Sequence, residues 1–161
     1  MDADLLRSIL EYDESTGLFR WKVRRGKRGL VGSVAGSVQS NGYCHIQIDG
    51  RAYNAHRLVW LYFHSVWPIK AIDHINGVRH DNRICNLREA THSFNMQNQR
   101  RPSKNNKSGF LGVSWHKHSR KWQASIRAAA VCRHLGYFDA PELAYAAYVA
   151  AKRQLHPFST I

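Results

Sequence analysis

The sequence predicts an α+β chain in two parts: a strand–strand–helix module with a lead-in, then a three-stranded antiparallel sheet packed on one helix. Three observations predict it. Apolar and polar residues alternate over 42–48 and run into Asp49-Gly50, a strong signal for a two-residue hairpin turn. A short strand end at 71–74 leads through a polar loop to a second short strand at 87–90, and Thr91 caps a helical stretch. Beyond Gly109, three runs rich in aromatic and β-branched residues precede an alanine-rich helix.

Each element has a local reason. Residues 1–14 read as a short helix with Leu5, Leu6, Ile9 and Leu10 on one stripe. Ser15-Thr16-Gly17 ends it, and 18–23 is a strand. Arg20, Lys22, Arg24, Arg25, Lys27 and Arg28 put six cations in nine residues, which suits contact with backbone phosphates. In 42–48, Cys44, Ile46 and Ile48 share one face, and 51–55 is the returning strand. Residues 56–65 are apolar almost all round and read as a buried helix that stops before Pro68. His56, at its start, is expected to make a structural hydrogen bond.

Apolar residues vanish over 99–109, where Pro102, Ser103, Asn105, Asn106, Ser108 and Gly109 stand among four cations. The expected organisation is 1–99, a basic linker at 100–109, and 110–161. Strands are expected at 110–116, 121–128 and 131–138. Asp139 caps the last helix, Pro141 sits in its first turn and Glu142 reaches back. Ala144, Ala147, Ala151 and Leu155 recur at helical spacing.

The net charge is +13, and residues 99–161 alone hold 11 Lys+Arg against 2 acids. So basic a chain suits nucleic acid, and it lacks the long basic amphipathic helix that a membrane surface would select. Cys44, Cys85 and Cys132 form no Cys-x-x-Cys pair, which argues against disulfides and a four-cysteine zinc site; they are expected to be small buried hydrophobes. No apolar run reaches the roughly 18 residues of a spanning helix, and no signal peptide is visible. The expected location is the cytoplasm.

The chemistry lies in 71–99. Two short strands and a helix would bring Asp73, His74, Asn86 and Asn95 together. Phosphodiester hydrolysis needs a base to take a proton from water, and a histidine suits that task. It also needs charge at the phosphoryl and leaving oxygens, which a hard cation on Asp and Asn oxygens supplies. The run Ala55-His56-Arg57-Leu58-Val59, Asp73-His74, Asn76-Gly77, Asp81-Asn82, Asn86-Leu87-Arg88 and Asn95 resembles the HNH endonucleases, in the His-Asn-Asn branch found in phage and group I intron homing enzymes. That resemblance implies a ββα-metal fold. It implies His74 as general base, Asp73 and Asn95 on Mg²⁺ (or Mn²⁺), and Asn86 bracing the loop and orienting the His74 ring. His92, one turn before Asn95, is an alternative ligand. Some relatives carry a cysteine-ligated structural zinc, and none is expected here.

Gly112-Val113, Trp122 to Arg127, Leu135-Gly136-Tyr137-Phe138 and the Ala-rich helix resemble the AP2 DNA-binding domain. The resemblance implies a sheet laid in the major groove of duplex DNA. Val113, Ala124, Ile126 and Leu135 would face the helix, with Trp122 in phase; Ser114, His116, Gln123, Ser125, Arg127, Cys132 and His134 would face DNA. Trp115 and Trp122 are expected to pack as core. Arg100, Arg101, Lys104 and Lys107 of the linker would meet phosphates. The whole then reads as a metal-dependent DNA endonuclease of phage or homing type, a monomer or homodimer that nicks or cuts both strands. One rival is a non-catalytic AP2-like DNA binder with a silent HNH fold; another is an RNA-binding accessory protein.

Overall fold

The structure is a computed structural model that describes residues 1–26, 29–99, 101–128, 131–156 and 159, with backbone alone at 92 and 93. By contact the chain divides into two compact units, Met1–His92 and Ser93–Ile161. The sequence places a boundary later, within 99–109.

In the first unit, helix α1 (Ala3–Ile9) starts where the Asp2 carboxylate accepts the Leu5 N–H at 2.8 Å. Leu6 and Ile9 are buried, but Leu5 is 44% exposed, so the apolar stripe is narrower than expected. Leu10 leaves the helix and opens strand β1 (Leu10–Asp13), which pairs antiparallel with β2 (Leu18–Trp21). Strands β3 (Ser37–Val38), β4 (Cys44–Ile48) and β5 (Arg51–Asn54) form an antiparallel sheet in that order. Asp49 and Gly50 both take positive φ, 49° and 78°, the conformation a two-residue hairpin turn requires. Cys44, Ile46 and Ile48 face inward as their alternation dictates. Helix α2 (Ala55–His64) comes next and ends at left-handed Ser65. Leu58, Val59 and Leu61 join Leu6, Leu10, Phe19, Ile46 and Ile48 in one core. Each such side chain stabilises the unit by about 1.5–3 kcal/mol on burial. Strands β6 (Ala71–His74) and β7 (Leu87–Ala90) make an antiparallel ribbon whose loop ends in a 3₁₀ turn, Ile84–Asn86. Ile72 and Leu87 bury into the same core and so anchor the ribbon.

The second unit begins at the head of helix α3 (His92–Gln97). Strands β8 (Val113–His116), β9 (Lys121–Ala128) and β10 (Val131–Phe138) form an antiparallel sheet in the order β10-β9-β8. Helix α4 (Pro141–Leu155) covers one face. Ala144 packs with Val113 and Ala124, and Tyr148 with Leu111 and Ile126; Leu135 joins both clusters. Gly112 has φ +70°, and a Cβ there would stand 2.0 Å from Tyr148 Cδ2, so α4 descends onto bare backbone that only glycine supplies. The end of the basic stretch is tied to this sheet: Ser108 Oγ donates to the Val113 carbonyl at 2.8 Å.

Three further expectations are corrected. The cap of α4 is Ala140, without a side-chain bond; Asp139 instead pairs with Lys121 at 3.1 Å, because the helix starts one residue later than the motif suggests. Trp115 lies edge-on to Trp122 at 5.1 Å but is 49% exposed, since its strand end is not covered. Cys85 and Cys132 are exposed thiols, and only Cys44 is buried. A bulge between His134 and Gly136 also reverses the facing of the last residues of β10, so Tyr137 pairs with Gln123 on the face opposite α4.

Candidate active site

His74 is the last residue of β6, and its ring is 4% exposed. Alternation along β6 buries Ile72 and His74 and leaves Asp73 on the other side of the ribbon. Among the described residues, Asn82, His56 and Tyr43 flank the imidazole. Asn82 Oδ1 lies 3.1 Å from His74 Nε2. The His56 ring meets it edge-on at 5.2 Å, and Tyr43 tilts against both rings at 5.3 and 5.8 Å. With the Asn82 oxygen facing Nε2, that nitrogen carries the proton and Nδ1 is the basic one.

Burial pushes the His74 pKa below the usual histidine range, against the opposing pull of the Asn82 bond and the Asp73 charge. His56 is pushed down to about 4, first by burial and then by His74, Arg57 and His45. Both rings are therefore neutral at pH 7. His56 makes no hydrogen bond to a described residue, and its Nδ1 is buried and unpaired. Among the described residues the expected structural hydrogen bond is not found, because the His56 ring meets the rings of Tyr43 and His74 rather than acceptors.

The depressed pKa values give stability a definite pH dependence. The unfolded chain takes up protons at both histidines near pH 6.5 while the folded unit resists. Stability is thus present above that pH and falls as pH drops toward 4. His56 alone accounts for up to about 3 kcal/mol of that loss. Urea midpoints at pH 7, 6, 5 and 4.5 check it: His56→Phe should flatten the fall, and an equally steep fall in that variant would refute the assignment.

Asn86 is buried and holds the loop. Its Oδ1 accepts the Asn76 N–H at 2.9 Å, and its Nδ2 donates to Asn76 Oδ1 at 3.0 Å and the Asp81 carbonyl at 2.8 Å. Arg83 holds Asp81 at about 2 by hydrogen bonding to it. The bracing expected of Asn86 is thus present, but the ring is held by Asn82, a residue the motif contained without a role. Asn82 is itself fixed from the lead-in. Tyr12 Oη donates to the Asn82 carbonyl at 2.9 Å and accepts the Ile84 N–H at 3.0 Å. Burial pushes this phenol up to about 12, so it stays protonated. Gly17, at φ +74°, lets its turn pack against Asn82 and Arg83, where a Cβ would lie 2.5 Å from the Arg83 nitrogen. No sequence spacing announces these contacts, which join residues some 70 positions apart.

Asp73 pairs across the ribbon with Arg88, whose Nε and Nη2 donate to Asp73 Oδ2 at 3.0 and 2.8 Å. Asn95 stands on α3 in the second unit, and its Oδ1 is buried without a hydrogen-bond partner among the described residues. A buried amide oxygen lacking a donor suits a hard cation. Asp73 and Asn95 are therefore chemically fit as cation ligands. Among the described residues no three His, Cys, Asp or Glu side chains gather as a metal cluster. The side chain of His92 lies outside the described residues.

On the second unit's sheet, the register sets Ser114, His116, Gln123, Ser125, Arg127, Cys132 and His134 on the face away from α4, with Tyr137 added by the bulge. Tyr137 lies 4.9 Å from the His116 ring and 4.5 Å from that of His134. Gln123 Nε2 lies 3.2 Å from His134 Nδ1, and His116 Nδ1 lies 2.8 Å from Ser119 Oγ. Arg127, Arg101, Lys104 and Lys107 are exposed. Arg100 lies outside the described residues, as do Lys27 and Arg28.

Residues 53–97 match the family model described as HNH endonuclease, and that match supports a nuclease enzyme. No curated protein matches. A solved structure described as "DNA binding and cleavage by the HNH homing endonuclease I-HmuI" is similar at 23% identity and a TM-score of 0.45. The likeness covers 62% of this chain and 56% of that one, so the chain spans little more than half of that protein's length.

Proposed function

We propose that this chain is a metal-dependent DNA endonuclease in which His74 activates water at a scissile phosphate. One observation carries the reading. Within the stretch matched by the HNH endonuclease model, a neutral imidazole is held by Asn82 at the end of a strand that also carries Asp73. A neutral histidine is the form that accepts a proton. Asn82 fixes its ring and tautomer, Asn86 fixes the loop that carries Asn82, and the walls of His56 and Tyr43 keep bulk water from the ring.

Asp73 and Asn95 would hold a divalent cation, Mg²⁺ or Mn²⁺. Such a cation, when bound, supplies charge for the phosphoryl and leaving oxygens. The phage or homing role belongs to this proposal, as do duplex DNA as substrate and a basic AP2-like second unit as its grip. The net charge and the exposed cations of 101–107 and Arg127 support that grip.

Supercoiled plasmid tests the activity. Nicking or linearisation with Mg²⁺ or Mn²⁺, abolished by a chelator, is the expected result. Intact plasmid with every divalent metal, in a chain that still binds DNA, would leave the silent DNA-binding protein standing. A second expectation concerns Arg127. Arg127→Ala should weaken DNA binding and make the slope of log K against log salt shallower by about one. It should leave single-turnover cleavage of saturated DNA unchanged. An unaltered constant and slope would remove this residue from the interface.

A further inference from the structure

We propose that Arg79 is a further catalytic residue, a phosphate clamp beside His74. The inference rests on the nuclease reading and adds a group that its general base and cation ligands do not include. Arg79 is exposed on the loop between β6 and β7, where a long side chain would ordinarily sample many rotamers. Here three consecutive residues cradle it. Nη1 donates to the Asn41 carbonyl at 2.9 Å. The stem runs past Gly42, where a Cβ would stand 3.6 Å from Arg79 Cδ. The guanidinium stacks on Tyr43, 5.1 Å from the ring centroid. Tyr43 is the same ring that packs against His74 and His56.

Charge separates Arg79 from its neighbours. Arg83 pairs with Asp81 and Arg88 with Asp73, so each is neutralised by a carboxylate. Among the described residues Arg79 meets a carbonyl and an aromatic face, and neither cancels its charge. One of its five N–H donors is used; the others meet no described residue. A guanidinium so held presents a planar fork suited to two phosphate oxygens. Its ordering cost is met in the free protein, so its attraction is available as negative charge builds on the phosphoryl oxygens. A mere pin between the 39–43 turn and the loop would need neither the exposure nor the uncancelled charge.

The experiment uses the full chain, Mg²⁺ and supercoiled plasmid under single-turnover, DNA-saturated conditions. Arg79→Ala should slow cleavage by about 100-fold, with an unchanged thermal midpoint and near-normal binding. Millimolar guanidinium should restore part of the rate. Arg79→Lys should be intermediate. Tyr43→Ala, which removes the ring beneath the guanidinium, should lose much of the rate. Wild-type cleavage by Arg79→Ala overturns the clamp. A joint fall of rate and thermal midpoint without guanidinium rescue assigns Arg79 a structural role and also overturns it. A wild-type chain that never cleaves removes the nuclease reading itself and the clamp with it.

Discussion

His74→Ala is expected to slow single-turnover DNA cleavage by about 10²–10⁴-fold while DNA binding persists. The range is that of a lost general base. The structure explains why this histidine can serve as one near neutral pH. Burial holds its pKa below the usual histidine range, and Asn82 faces Nε2, so the ring is a neutral base with a defined tautomer. The acid limb of the wild-type rate should therefore lie below about pH 6.5. His74→Ala also leaves the Asn82 oxygen without its ring partner, a cost of about 1 kcal/mol that should lower the thermal midpoint only modestly. Rate and midpoint together make the check. A variant that cleaves within a few-fold of wild type removes His74 from the chemistry, and one that fails to fold says nothing of it. Asn82→Ala then serves as the second probe, because it keeps the imidazole but frees its ring. Its rate should fall between wild type and His74→Ala.

Asn86→Ala is expected to have the largest effect on stability in the first unit. It deletes three hydrogen bonds at a buried position and strands the Asn76 N–H. At about 1 kcal/mol each the loss is about 3 kcal/mol, and on the order of 10 °C in thermal midpoint for a unit of this size. Cleavage should fall by about 10²-fold as well, because the same loop carries Asn82 and a displacement near 1 Å suffices for that. Asn86→Asp keeps one acceptor for the Asn76 N–H and should recover part of the midpoint. Calorimetry and cleavage on the same samples decide it. An unchanged midpoint in Asn86→Ala would mean that the loop is held elsewhere, with Tyr12 and Gly17 the first places to look.

Much of the fold was legible because it is written in local periods. The two-residue alternation of 42–48, with a turn that demands positive φ, could form little other than a hairpin. The same period assigned the outer face of the second sheet as far as His134. Legibility stopped where an irregularity broke the period. The bulge at Leu135 carried Tyr137 to the other face, and nothing in the alternation marked it. It stopped also where partners compete. Asp139 had the right place to cap α4, yet Lys121 on β9 claims it.

The sequence by itself determined which chemical groups stand near one ribbon: an imidazole, a carboxylate and an amide brace, in an order with few other uses. Only the tertiary structure decided which amide holds the imidazole. It also set two aromatic walls around that ring and left Arg79 cradled with its charge uncancelled. The reason is physical. Face and turn type derive from backbone geometry within a few residues. A contact between Asn82, Tyr12 and His74 exists only after loops close and a shared core excludes every other arrangement.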